Sequence, residues 1–171
     1  MAKHAAVTIV SKNYLACARA LAITYKKHHP ENDFLVILVD RADGYTGNAL
    51  PGGAELIEIA NIAIPDISRF IYRYTVMELN TAVKPFVLAD LFRHRGYETI
   101  VYLDPDIYIF RPLTHVYEAL LNASIVLIPH IRRPFYDISM PNDSAILQSG
   151  TYNLGFIALR NGETSRQLLD W

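Results

Sequence analysis

Alternating apolar strands and helix-patterned segments predict an α/β protein, an α/β/α sandwich around a mostly parallel sheet. Three observations carry this prediction. Phe34-Leu-Val-Ile-Leu-Val39 is a near-continuous apolar run, as a strand covered on both faces requires. Ala5-Ala-Val-Thr-Ile-Val10 is followed directly by helical spacing, which makes a β-then-α unit. Thr99 to Leu103 is a second β-branched apolar run, and it ends at Asp104-Pro105-Asp106.

In chain order, the first strand covers Ala5 to Val10. A helix from Asn13 to His29 follows, with Tyr14, Ala18, Leu21, Ala22 and Tyr25 on one face and Lys26, Lys27, His28 and His29 in its last turn. Cations there suit the helix dipole. The lone Cys17 is expected on the apolar face as a buried, inert thiol. Phe34 to Val39 is the second strand, closed by Asp40, and the Gly, Pro, Asp and Asn density from Arg41 to Gly53 marks a loop. Glu55 to Ile59 alternates as a short strand. Two helices are expected, Asp66 to Leu79 and Ala82 to Arg95, the second with Thr81 as N-cap, Pro85 in its first turn and Gly96 past its end.

After Thr99 to Leu103, the pattern predicts a helix from Leu113 to Asn122, a buried strand from Ser124 to Ile128 and an irregular loop from Pro129 to Gly150. A loop of that length is commonly functional. Leu154 to Leu159 is the last strand, and Glu163 to Trp171 opens as a helix that stops after about two turns without a C-cap signal. The chain therefore reads as one unit, 1–171, incomplete at its C-terminal end.

Composition narrows the function. With 51% hydrophobic residues, 171 residues bury a substantial core. Sixteen basic against 17 acidic residues, with no basic stripe, argue against nucleic acid as partner. No signal pattern and no apolar run of ~18 residues is present, so no membrane span is expected and a cytoplasmic location is the default reading.

The chemistry concentrates at Asp104-Pro105-Asp106. Strand alternation would send residues i and i+2 to one face, where both carboxylates could aim at one point. Two such charges beside an apolar strand call for a compensating cation or solvent. Oxygen-only ligands favour Mg²⁺ or Mn²⁺, which takes one or two carboxylates together with phosphate oxygens. A solvated polar turn is the competing reading. Val10, Asp40 and Leu103 all close strands, and open α/β sheets bind ligands at the carboxyl ends of their strands.

With a first strand leading to Asn13-Tyr14, a Thr-Ala-Val-Lys-Pro-Phe helix start, Leu-Asp-Pro-Asp and Tyr-Asn153-Leu-Gly155-Phe, the chain resembles the nucleotide-sugar glycosyltransferases of the A-type, Rossmann-like fold. The similarity is to the glycogenin and bacterial lipopolysaccharide galactosyltransferase group. It runs from about residue 5 to the end, over four motifs in the expected order.

The resemblance implies metal-dependent sugar transfer from a nucleoside-diphosphate sugar, UDP-sugar favoured, to a glycan, lipid or protein acceptor that it does not identify. It implies Asp106 as the stronger ligand of Mn²⁺ or Mg²⁺ and Asp104 as shared between metal and ribose. Val10, Ser11, Asn13 and Tyr14 correspond to the base-binding turn. Tyr14 offers a stacking ring and Asn13 and Ser11 hydrogen-bonding groups, although the family often has an acid where Ser11 stands. Helix cap and core aromatic are the structural alternatives for Asn13 and Tyr14.

Lys84 matches a donor phosphate or sugar contact, against an ordinary exposed lysine. Asn153 and Gly155 match an Asn-x-Gly motif that holds the donor sugar, against a turn before a strand. Asp143, His130, Arg132 and Arg133 read first as exposed loop residues. The family's third metal ligand, a late histidine, would fall beyond Trp171, and none of the six histidines matches it. No catalytic base is assigned. A non-catalytic nucleotide-sugar-binding module is the alternative, and a phosphohydrolase with an Asp nucleophile the third reading. That last class places its motif on the earliest strand, and several strands precede Asp104 here.

Overall fold

The computed structural model describes residues 3–44, 50–133, 140 and 142–171. Tyr45 to Ala49 of the first predicted loop, and 134–139 and 141 of the second, lie outside the described residues. Among the described residues, six strands form one sheet: β1 (His4–Val10), β2 (Asp33–Leu38), β3 (Glu55–Glu58), β4 (Thr99–Leu103), β5 (Ile125–Pro129) and β6 (Tyr152–Arg160), in the spatial order β3-β2-β1-β4-β6-β5. β1 pairs in parallel with β2 and β4, and β2 with β3. β6 runs antiparallel to both β4 and β5, so it alone is reversed in a mostly parallel sheet.

Among the described residues there are seven α-helices: α1 (Leu15–His28), α2 (Ile67–Ile71), α3 (Val76–Ala82), α4 (Lys84–Arg95), α5 (Thr114–Asn122), α6 (Asp143–Ser149) and α7 (Glu163–Asp170). Strand alternation divides the apolar side chains between the two faces. Ala5, Val7 and Ile9 of β1 join Leu35, Ile37 and Tyr102 under α3 and α4, with Val83, Val87 and Leu91. Ala6 and Val10 join Val36, Leu38 and Val101 under α1 and α5, with Ala18, Leu21, Tyr25 and Leu120.

Several expectations need correction. Cys17 is exposed, because it is one residue out of step with Ala18, Leu21, Ala22 and Tyr25, which carry the buried stripe. The segment expected as one helix over Asp66 to Leu79 is α2 and α3, separated at Tyr72 to Thr75. Thr75 caps α3 through a reciprocal capping box with Glu78. Thr81 is therefore not an N-cap: it lies inside α3, and Val83 leads straight into α4 in helical conformation. Gly96 closes α4 at φ 66°, the left-handed C-cap that favours glycine.

β5 is half-covered rather than buried, with Leu127 and Ile128 exposed, since it forms the sheet edge beyond β6. The loop expected from Pro129 to Gly150 contains α6, which Asn142 caps by accepting from the Ala145 N–H at 2.9 Å. Asp143 is the first residue of that helix and is half-buried.

Candidate functional site

The sheet order reverses at β1, with β2 on one side and β4 on the other, and such a switch point leaves a crevice beyond the strand ends. A cleft of ≈ 440 Å³ opens there, lined by Val10, Ser11, Asn13 and Tyr14 after β1, Asn80, Thr81 and Lys84 from α3 and α4, and Tyr102, Asp104, Pro105 and Asp106 at β4. Two larger hollows lie elsewhere on the surface and contain none of these residues. Chemistry rather than size singles out this cleft.

The turn after β1 is built by its own hydrogen bonds. Val10 gives its carbonyl to the Val39 N–H at 2.9 Å, and the Lys12 N–H donates to the Asp40 carboxylate at 2.7 Å, tying the turn to β2. Buried Ser11 donates from Oγ to Asn13 Oδ1 at 2.5 Å, and its carbonyl accepts from the Tyr14 N–H. Asn13 therefore makes no helix cap, and the Lys12–Tyr14 segment is a single 3₁₀ turn. Tyr14 is not a core aromatic: it is 46% exposed and lines the cleft.

Asp104 and Asp106 both line the cleft, but strand alternation does not put them there. β4 ends at Leu103, and Asp104 starts a tight turn closed by the Ile107 N–H on its carbonyl at 3.2 Å, with Pro105 at the position where its fixed φ suits a turn. Asp104 is held from several sides. Tyr102 Oη donates to its Oδ1 at 2.5 Å, and Lys84 Nζ stands 3.5 Å from the same oxygen. Its N–H donates to the Gly155 carbonyl at 2.8 Å. Asp106 is exposed at the cleft mouth.

Lys84 is not an ordinary surface lysine: 14% of its side chain is exposed. Its ammonium donates to the Leu154 carbonyl at 3.0 Å and lies 4.3 Å from the centre of the Tyr102 ring. Burial lowers its pKa, and the Asp104 charge opposes that shift. Burial first, then the charge and hydrogen-bonding of Asp104 and the charge of Asp106, push the Tyr102 phenol well above its usual range, so it stays a donor.

Because β6 is reversed, its first residues lie beside the end of β4, with Phe156 opposite Leu103. Asn153 and Gly155 thus belong to a strand, not to a turn before one. Asn153 Oδ1 accepts from the Gly155 N–H at 2.7 Å. A Cβ on Gly155 would stand 2.8 Å from Asp104 Oδ2, so glycine is what lets β6 approach the carboxylate. His130, Arg132 and Arg133 are exposed and do not line the cleft; His130 Nδ1 pairs with the Gly150 carbonyl at 2.8 Å. Tyr102 and the Leu154 carbonyl are the components that sequence reasoning missed. Tyr102 is two residues before Asp104, near enough along the chain for its hydroxyl to reach the carboxylate, which was a usable signal.

Among the described residues, no three His, Cys, Asp or Glu side chains gather into a metal-sized cluster. The carboxylate pair offers hard oxygen donors for part of a Mg²⁺ or Mn²⁺ shell, the remainder being suited to phosphate oxygens and water. No helix among the described residues is long and apolar enough to cross a membrane.

No protein-family model matches the sequence, and no curated protein matches it. Solved structures do match. The chain is similar to the galactosyltransferase LgtC, crystallised with donor and acceptor sugar analogs, at a TM-score of 0.61 and 15% identity over 98% of this chain and 60% of that one. It is similar to mouse xyloside xylosyltransferase 1 in its apo form at a TM-score of 0.54 and 12% identity, covering 99% and 72% of the two chains. The glycosyltransferase GlyE of Streptococcus pneumoniae TIGR4, also in its apo form, gives a TM-score of 0.53 and 14% identity over 98% of this chain and 35% of its own. The chain thus spans 60% of the length of LgtC, and over that span its six-stranded sheet and flanking helices have the A-type glycosyltransferase fold.

Proposed function

We propose that this chain is the donor-binding part of a metal-dependent glycosyltransferase that takes its sugar from a nucleoside-diphosphate sugar, UDP-sugar favoured. The observation that carries the reading is one cleft at the switch point of the sheet that brings together a carboxylate pair, a half-buried lysine and a polar turn with an available aromatic ring. An A-type fold alone would not require that combination.

In this reading Tyr14 stacks on the base while Ser11, Asn13 and the backbone near Val10 meet its polar edge. Asp104 and Asp106 would hold Mn²⁺ or Mg²⁺, which when bound supplies Lewis-acid stabilisation of the leaving diphosphate. Lys84 adds a second positive charge to the diphosphate, and Asn153, with Gly155 beside it, faces the sugar hydroxyls. Transfer breaks the bond from the anomeric carbon to the diphosphate oxygen and forms one to an acceptor oxygen. The acceptor in this reading is a glycan, a lipid or a protein, and a cytoplasmic setting goes with it.

The test is a thermal shift of the purified chain with UDP, GDP and ADP, each with and without Mn²⁺, repeated on Asp106→Asn. Nucleotide at ~100 times its dissociation constant stabilises by about 2.7 kcal/mol, enough to move the midpoint by several degrees. A metal-dependent rise with UDP that Asp106→Asn abolishes is expected. No shift with any nucleotide would overturn the donor-site reading. Release of free UDP from a UDP-sugar would separate a transferase from a pure binding module, which releases none.

A further inference from the structure

Lys84 does more in the structure than a phosphate contact requires. Its ammonium shares the Oδ1 side of Asp104 with the Tyr102 hydroxyl, and it is also held by the Leu154 carbonyl and the Tyr102 ring face. It begins α4, where the helix dipole disfavours a cation, and burial disfavours its charge further. Asp104 is the carboxylate that offsets both. Among the described residues that line the cleft, Lys84 is the one lysine or arginine beside the Asp104 and Asp106 charges.

We infer that Lys84 is the exchangeable counter-ion of the Asp104 and Asp106 pair, neutralising Asp104 in the structure and ceding that carboxylate to a divalent cation when a nucleoside diphosphate enters. The inference rests on the donor-site reading above and deepens it. Lys84 need move little to serve both partners, since the Leu154 carbonyl and the Tyr102 ring keep its side chain in the cleft wall. A diphosphate brings the negative charge that draws the ammonium off Asp104. Metal without nucleotide has to compete with Lys84 for Asp104, whereas metal arriving with nucleotide does not. Binding of the two ligands is therefore strongly coupled, and the coupling is reciprocal.

The experiment titrates Mn²⁺ into the protein and follows the free ion by electron paramagnetic resonance, with and without UDP, for the wild type, Lys84→Met, Lys84→Gln, Lys84→Arg and Lys12→Met. A unit charge within ~4 Å at an interior boundary is worth more than a factor of ten in affinity, so both neutral Lys84 variants should bind Mn²⁺ alone about tenfold or more tighter. Lys84→Arg should stay weak, as the wild type does. Lys12→Met, whose side chain pairs with Asp43 rather than Asp104, should change Mn²⁺ binding by less than about twofold, since an exposed charge is screened.

With UDP present, the advantage of Lys84→Met and Lys84→Gln should vanish or reverse. Circular dichroism establishes that each variant is folded, and two neutral replacements guard against one that is not. Unchanged binding of Mn²⁺ alone in folded neutral variants would overturn the inference while the wild type still bound UDP with Mn²⁺. Failure of the wild type to bind UDP under any condition would instead overturn the donor-site reading.

Discussion

A Cβ atom on Gly155 would lie 2.8 Å from Asp104 Oδ2 and 2.9 Å from Asn153 Oδ1, closer than such contacts are normally made. The Gly155 carbonyl at the same time accepts the Asp104 N–H at 2.8 Å. β6 is thus hydrogen-bonded to the residue that its own side chain would displace. The absence of a side chain at 155 and the orientation of the carboxylate at 104 are one structural requirement.

Gly155→Ala is therefore expected to rotate Asp104 out of its contacts with Tyr102 and Lys84. Overpacking of this kind costs about 1–3 kcal/mol. Urea unfolding should register that loss, and the Mn²⁺-dependent thermal shift with UDP should fall with it. Unchanged stability together with an unchanged nucleotide response would show that the carboxylate tolerates the methyl group.

Tyr102→Phe removes the hydroxyl that donates to Asp104 Oδ1 at 2.5 Å but keeps the ring under Lys84. Losing a hydrogen bond to a charged acceptor costs about 1.5–3 kcal/mol when the acceptor cannot be resolvated. Asp104 is partly exposed, so water should recover part of this. Stability is expected to drop by about 1 kcal/mol, and Mn²⁺ with UDP should bind several-fold more weakly because Asp104 is no longer fixed. Isothermal titration against UDP at saturating Mn²⁺ measures it, and wild-type affinity in Tyr102→Phe would rule out the positioning role.

Strands buried on both faces were the most legible part of the fold. Val7, Ile9, Leu35, Ile37, Val101 and Leu103 each meet a helix layer, so β1, β2 and β4 read as unbroken apolar runs. The direction of β6 was not legible, because nothing within Leu154 to Leu159 encodes which neighbour it joins or which way it runs. That direction is what delivers Asn153 and Gly155 to the end of β4. The break between α2 and α3 carries no Gly or Pro, and the signal passed over was Thr75 with Glu78 three residues later. Tyr102 was hidden as one more large residue in an apolar strand, and its phenol matters only through what lies two residues on.

Tyr14→Ala tests whether the exposed ring on the cleft wall meets a base. Stacking of a base on an aromatic side chain is worth about 1–3 kcal/mol by alanine substitution, or roughly 5- to 150-fold in affinity. Because Tyr14 is 46% exposed, the same change should leave the unfolding midpoint nearly untouched. Titration with UDP and Mn²⁺ should therefore show weak binding by a protein of normal stability. A large loss of stability would instead make Tyr14 a packing residue.

His29 supplies a pH dependence remote from the cleft. Its Nε2 accepts the Leu113 N–H at 2.9 Å at the start of α5, and its ring stacks on Tyr25 at 4.8 Å, so the folded state uses the neutral imidazole. Burial, then the neighbouring His28, lowers its pKa below the ordinary 6.5. The unfolded chain thus binds the proton first as pH falls, and stability that is fully present above pH 6.5 is lost as pH drops through the lowered folded value. Leu113 would lose its acceptor over the same interval. His29→Gln can still accept from Leu113 through Oε1 and does not titrate. Urea midpoints of wild type and His29→Gln should converge toward acid pH, with the wild type losing more stability than the variant between about pH 7 and 5. Parallel curves for the two proteins would mean that His29 takes no part in the acid sensitivity of the fold.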